Sequence, residues 1–274
     1  MLLFAVAGAP RSTPKPGETL LGLRRAHELG ITAMELEWVQ TVPRNPEHVA
    51  AVGKLARELG ITLTVHAPYY VNLNSPDHAK LLASQKRIID ALSMAQIAGT
   101  RSVCVHAAFY LGMEPLMAFD NVRRAIAEIL KSKELLFPSA NLALETMGKL
   151  TQFGTLEEVL AVSREFGLYP CLDPAHMQAR TNGNCNSKEH WNEMFDLYET
   201  QLGEGALRNM HMHYSGIAYG ARGEKRHLPL QESDARWEDF LSVLKERKIG
   251  GALVCESPIQ EKDTLLLQKT FATL

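Results

Sequence analysis

Short apolar and β-branched runs alternate along the whole chain with longer segments whose apolar positions recur at helical spacing. The runs predict strands at Leu2–Ala7, Ala33–Trp38, Thr62–His66, Ser102–His106, Leu142–Glu145, Tyr169–Asp173, Arg208–His213 and Ala252–Glu256. The segments between them predict helices at Glu18–Leu29, Glu47–Leu59, Pro76–Ala98, Pro115–Lys133, Leu156–Phe166, Ser187–Leu202, Asp234–Glu246 and Lys262–Phe271. Ser75–Pro76, and Thr155 with Glu157 and Glu158 in the following turn, are helix-start signals. Gly30, Gly60, Gly99, Gly167 and Gly250 stand where helices stop before the next strand. Eight strand–helix units predict a single (β/α)8 barrel domain over residues 1–274. A doubly wound open sheet uses the same alternation, but no Gly-x-Gly-x-x-Gly or P-loop follows the first strand. No Pro-, Gly- or Ser-rich linker divides the chain.

Composition narrows the class. With 46% hydrophobic, 7% aromatic and 22% charged residues, the chain has ordinary globular content. No apolar run approaches the ~20 residues needed to span a bilayer, and Met1–Pro10 lacks the basic flank of a signal peptide. The four cysteines, Cys104, Cys171, Cys185 and Cys255, are well separated without a CxxC pair, and three lie in apolar runs. That usage reads as reduced, buried thiols in a cytoplasmic protein. A net charge of -2 provides no global basic field, so a nucleic-acid ligand would need a local basic rim or metal ions at the phosphate.

Candidate chemistry gathers at the strand ends. Of ten histidines, His66, His106, His176, His211, His213 and His227 lie at or just beyond the C-terminal end of a predicted strand. Glu145, Asp173 and Glu256 terminate apolar strands. A closed barrel brings all these ends to one face. Buried acids brought together without a cation would repel one another and raise at least one pKa. Histidine with Asp or Glu is the ligand set of zinc, manganese and iron. One ion takes three or four protein ligands, so this set suits two or three ions, the recurring device for phosphate-ester hydrolysis.

The motifs VHAPYYVNLNSP (65–76), CVHAAFY (104–110), LALETMGK (142–149), CLDPAHMQAR (171–180), MHMHYSG (210–216), GEKRH (223–227) and CES (255–257) occur in order along the chain. Through them the sequence resembles the endonuclease IV family of apurinic/apyrimidinic endonucleases, most closely its divergent archaeal-type members. The resemblance implies a trinuclear zinc enzyme on a (β/α)8 barrel, with Mn2+ or Fe2+ as alternatives. It implies one ion on His66, His106 and Glu145, and a second on Glu145, Asp173, His211 and Glu256. The third would lie on His176 and residues of the GEKRH segment. The implied reaction is in-line attack of a metal-activated hydroxide on the phosphate 5′ of an abasic site, leaving a 3′-hydroxyl. Glu145 and Glu256 would orient or deprotonate the nucleophile. The implied partner is double-stranded DNA containing abasic sites, met by a monomer without membrane attachment.

The family pattern for the third ion is Asp-x-His, whereas Lys225 stands two residues before His227. The stretch from His211 to His227 is one residue longer than that pattern, which makes Glu224 the replacement and His213 a second candidate. An inward Lys225 would instead give a two-ion site with an ammonium clamp on phosphate. Tyr69 and Tyr70 follow His66 on a loop and are the candidate DNA-contacting residues, filling the gap left by a missing base. Arg44, Lys149, Arg180, Arg222 and Arg226 lie on predicted βα loops and are the candidates for a basic rim. The rival reading is a divalent-metal sugar isomerase or epimerase of the xylose-isomerase-like group, using Glu145 and Glu256 as acid and base around one ion. That reading leaves His66, His106, His176 and His227 surplus.

Overall fold

A computed structural model describes residues 1–133, 135 and 141–274. Its frame is eight parallel strands: β1 (Leu2–Ala7), β2 (Ala33–Glu37), β3 (Thr62–His66), β4 (Ser102–Val105), β5 (Asn141–Leu144), β6 (Cys171–Leu172), β7 (Met210–Tyr214) and β8 (Gly251–Cys255). They pair in the order β5–β4–β3–β2–β1–β8–β7–β6, and a parallel bridge between Glu145 and Cys171 joins the two ends. The result is a (β/α)8 barrel. Its helices are α1 (Thr19–Glu28), α2 (Pro46–Glu58), α3 (His78–Ala98), α4 (Pro115–Leu130), α5 (Leu156–Phe166), α6 (Pro174–Arg180), α7 (Lys188–Leu202), α8 (Trp237–Glu246) and α9 (Glu261–Thr273).

Strand alternation sorts the side chains into two environments. Outward residues such as Met34, Leu36, Val65, Val103, Leu142 and Leu144 pack beneath the helices in one large apolar cluster. Met210, Met212 and Leu253 join a second such cluster. Inward positions carry small residues instead: Ala5, Ala33 and Val254 in one group, Cys104, Ala143 and Cys171 in another. Small residues there leave the barrel interior room for polar side chains, and Glu35, His211 and His213 occupy it fully buried. All four cysteines are buried and free.

Local rules explain most boundaries. Thr155 and Glu158 form a reciprocal capping box at the start of α5. The start of α3 differs from the expectation at Ser75–Pro76: Asp77 is the cap, its carboxylate accepting from the amides of Ala79 and Lys80. Gly250 does not stop α8. That helix is left through Lys248 at φ 54°, while a Cβ on Gly250 would lie 2.6 Å from the Arg208 carbonyl, so close packing demands the glycine. The short helix α6, the hairpin of Gly216–Gly220 with Gly223–Leu228, and an antiparallel pairing of Ala108–Phe109 with the distant Gln152–Phe153 lie inside segments expected to be loops. Among the described residues, no helix is long and apolar enough to cross a membrane.

Candidate metal centre

Three groups of ligating side chains meet at the C-terminal face of the strands. In the first, Nε2 of His66 and Nε2 of His106 are 3.3 Å apart, and they lie 3.6 and 2.8 Å from Oε2 of Glu145. In the second, atoms of Glu145, Asp173, His213 and Glu256 all lie within 4.8 Å of one another. Nδ1 of His213 is 3.1 Å from Glu145 Oε1 and 3.4 Å from Glu256 Oε1. In the third, His176, Glu224 and His227 converge within the same limit. Glu145 sits between all three, its Oε1 also 3.2 Å from His176 Nδ1. A cavity of about 460 Å³ opens on these groups, with Tyr69, Phe109 and Lys149 on its walls.

The imidazoles are oriented by the main chain. Nδ1 of His66 bonds the carbonyl of Ala67 at 2.8 Å, His176 that of Thr146 at 3.0 Å, and His227 that of Glu256 at 3.1 Å. A carbonyl only accepts, so each Nδ1 carries a proton and each Nε2 is the atom turned to the site, the one a cation would use once the ring is neutral. Asp173 is placed by its own backbone, whose amide donates to the Thr146 hydroxyl, and it caps α6 by accepting from the His176 amide. Oδ2 of Asp173 and Oε2 of Glu256 are buried without a hydrogen-bond partner. Orphaned carboxylate oxygens beside imidazole nitrogens are the donor set of a divalent cation, and the residues fit one.

Electrostatics show the same strain. Burial alone would raise the Glu145 carboxyl, but His213 and His106 hold it well below the usual carboxylate range. Burial raises Asp173, with Glu256 and Glu145 adding repulsion against the pull of His176. Burial works against a charged His66, yet the Glu145 hydrogen bond lifts it to about 10.

The third group explains the extra residue in the chain. The hairpin pairs Tyr219 with Glu224 and Ala218 with Arg226, so Lys225 is unpaired in a β-bulge. The bulge puts Glu224 and His227, three residues apart, on one face. Lys225 is exposed, its Nζ beside Gly220, which rules out the inward ammonium. Gly148 admits the hairpin: a Cβ there would lie 2.8 Å from Cβ of Glu224.

The structure does not bring His211 to this face. Strand β7 runs one residue beyond its expected end, to Tyr214, and aligns Cys171 with His211 and Leu172 with Met212. His213 therefore stands level with Asp173, and His211 lies two residues deeper. There its Nδ1 is 2.8 Å from Ser102 Oγ and its Nε2 2.8 Å from Glu35 Oε2. Two further acids, Glu35 and Glu37, escape the reading of strand ends. Their signal lies in the run Ala33–Glu37, where acids two apart on a barrel strand both face inward. Burial raises Glu37 to about 8.

The aromatic and basic candidates separate. Tyr69 stacks on His106, ring centroids 5.1 Å apart, and meets His66 edge-on at 5.0 Å. Tyr70 is exposed at the rim and donates to Gln40 Oε1. Arg180 donates to the carbonyls of Met147, Lys149 and Gln152, so it pins the βα loop instead of facing solvent. Arg222 and Arg226 are exposed on the hairpin, and Arg44 lines a separate cavity beside the mouth.

Comparison with known proteins places the chain. The family model described as xylose isomerase-like TIM barrel matches residues 23–272. The chain belongs to that family. A Methanocaldococcus jannaschii protein named only as uncharacterized is 35% identical over 274 residues, covering 100% of this chain and 98% of that one. A probable endonuclease 4 of Symbiobacterium thermophilum is 26% identical over 255 residues, covering 88% and 89% of the two chains. Among solved structures, a D-tagatose 3-epimerase-like protein superposes with a TM-score of 0.74 at 19% identity, covering 99% of this chain and 96% of its own. Endonuclease IV from Thermus thermophilus superposes with a TM-score of 0.70 at 20% identity, covering 99% and 97%. At these identities the two structures share the fold with this chain, a fold common to both kinds of enzyme.

Proposed function

We infer that this xylose isomerase-like barrel is a metal-dependent DNA-repair endonuclease that hydrolyses the phosphodiester bond 5′ of abasic sites in double-stranded DNA and acts as a monomer. One observation carries the reading: three groups of ligating side chains share a single cavity, the third supplied by His176, Glu224 and His227. Epimerisation around one ion has no use for that third group. The relatives named endonuclease 4 support the same choice.

Divalent ions, zinc foremost, would supply charge neutralisation at the phosphate and a more acidic water. The chain's own residues do the rest. Glu145 and Glu256 orient the attacking water, and Glu256 Oε2 is free to accept its proton. Tyr69, 43% exposed over the histidines, offers a flat surface to the sugar or to the gap beside it. Lys149 on the cavity wall supplies an ammonium to pair with a phosphate oxygen of the bound strand.

The test is nicking of a duplex carrying one tetrahydrofuran abasic analogue, which cannot undergo β-elimination. The expected result is a metal-dependent cut immediately 5′ of the analogue with a 3′-hydroxyl, lost in Glu145→Gln. A folded, metal-loaded protein that leaves the duplex intact would overturn the reading. Epimerisation of a ketose by that same preparation would assign the other chemistry of the family.

A further inference from the structure

Beneath the mouth, three side chains face one another across the barrel interior: Glu35 from β2, and His211 and His213 from β7. Glu35 Oε2 is 2.8 Å from His211 Nε2, and Glu35 Oε1 is 2.9 Å from His213 Nε2. All three residues are at most 2% exposed. Despite the short distances, Glu35 Oε1 and both Nε2 atoms have no aligned hydrogen bond. We propose that Glu35, His211 and His213 form an inner divalent-cation site in the barrel, sharing only His213 with the groups at the mouth.

The surroundings are those of a built site. Two imidazoles and one carboxylate are a ligand set for Zn2+, Co2+, Fe2+ or Mn2+. Each has outer support: Ser102 Oγ lies 2.8 Å from His211 Nδ1, and the Thr64 hydroxyl donates to Glu35 Oε2 at 2.8 Å. Such partners fix the ring and leave Nε2 as the donor atom. His213 turns its second nitrogen toward the mouth, 3.1 Å from Glu145, so its ring would link the inner ligand set to the groups above. An access route exists that avoids the mouth. A cavity of about 190 Å³ at the opposite end of the barrel is lined by Arg101, Ser102, Tyr169, Asn209 and His211, the Arg101 guanidinium donating to Asn209 Oδ1.

The test counts ions and does not depend on any activity. Full-length protein, stripped with a chelator and reloaded with Co2+, is examined by native mass spectrometry and by cobalt absorption. His211→Gln, which touches no residue of the mouth groups other than through the inner site, is expected to hold one ion fewer than the wild type. His176→Gln should lose a different ion, so the double variant loses two. A folded His211→Gln with the wild-type ion count would overturn the proposal. Should His211→Gln fail to fold, Ser102→Ala keeps all three ligands, and roughly a 10- to 100-fold weaker affinity for one ion is expected. Unchanged affinities for every ion in Ser102→Ala would equally overturn it. A protein that binds the inner ion but does not nick DNA would sink the nuclease reading and leave this site standing.

Discussion

At the barrel mouth His66, His176 and His227 each give Nδ1 to a main-chain carbonyl, whereas in the interior His211 meets the Ser102 hydroxyl and His213 turns both nitrogens to carboxylates. Most of the mouth residues lie at strand ends or beyond them, on loops, a short helix and a hairpin. The interior ones lie within β2 and β7. Chain beyond a strand exposes carbonyls that can orient a ring, but within a strand the carbonyls are committed to the sheet, so orientation must come from side chains. One residue vocabulary thus serves two layers. The upper layer opens on a cavity wide enough to reach a substrate, while the lower lies among small residues, meets the smaller cavity at the far end of the barrel, and is joined to the upper through His213.

The largest expected effect lies in the upper layer. Glu145→Gln should lower kcat/KM for nicking about 10³-fold or more, since it removes a carboxylate shared by two groups and in contact with His176 of the third. Its fold should survive, as read by circular dichroism. A fall under tenfold would show that the mouth groups do not act together.

Glu35→Gln tests the opposite weighting. Removing the charge that faces two buried imidazoles should cost about 3 kcal/mol of stability in the metal-free protein, measured by urea unfolding. A cost under about 1 kcal/mol would make the interior layer no more demanding than an ordinary polar contact.

Proton release separates the layers next. His66, lifted to about 10, is protonated in the metal-free protein at neutral pH. Its pairing with Glu145 is therefore fully present below its unfolded value of 6.5 and is lost as pH rises through about 10. A cation needs the neutral ring, so affinity at the mouth should rise with pH, about tenfold per unit for each proton displaced. Calorimetric titration with Zn2+ in two buffers of different ionisation heat would read the released protons. Equal heats in both buffers would contradict the shift.

The smallest effect is expected from deleting Lys225. Without the bulged residue, Glu224 and His227 fall two apart on an ordinary strand and still share a face. Ion count should hold and nicking should change by no more than about threefold, a difference within the range of a single surface contact. Loss of one ion would show that the bulge, and not the shared face, sets the third group.

Much of the fold is legible from periodicity. The expected strands at Leu2–Ala7 and Thr62–His66 and the helix at Leu156–Phe166 coincide with the structure, because burial of alternating or helical faces leaves its mark on every residue. The hairpin at Gly216–Leu228 escapes such a reading because its polar residues, Glu224 to Arg226, carry no such mark. The same lack of burial hides the bulge, which only pairing with the opposite strand reveals.

The amino-acid sequence alone determined the eightfold alternation, the family resemblance and the convergence of His66, His106, Glu145, Asp173, His176, His227 and Glu256 on one face. Those follow from strand ends and spacing, which are local. Only the tertiary structure decided that His213 and not His211 stands level with Asp173, that Lys225 turns out while Glu224 turns in, and that Glu35 reaches both interior imidazoles. Each depends on register between strands distant in the chain, and a shift of one or two residues there changes which layer a side chain enters.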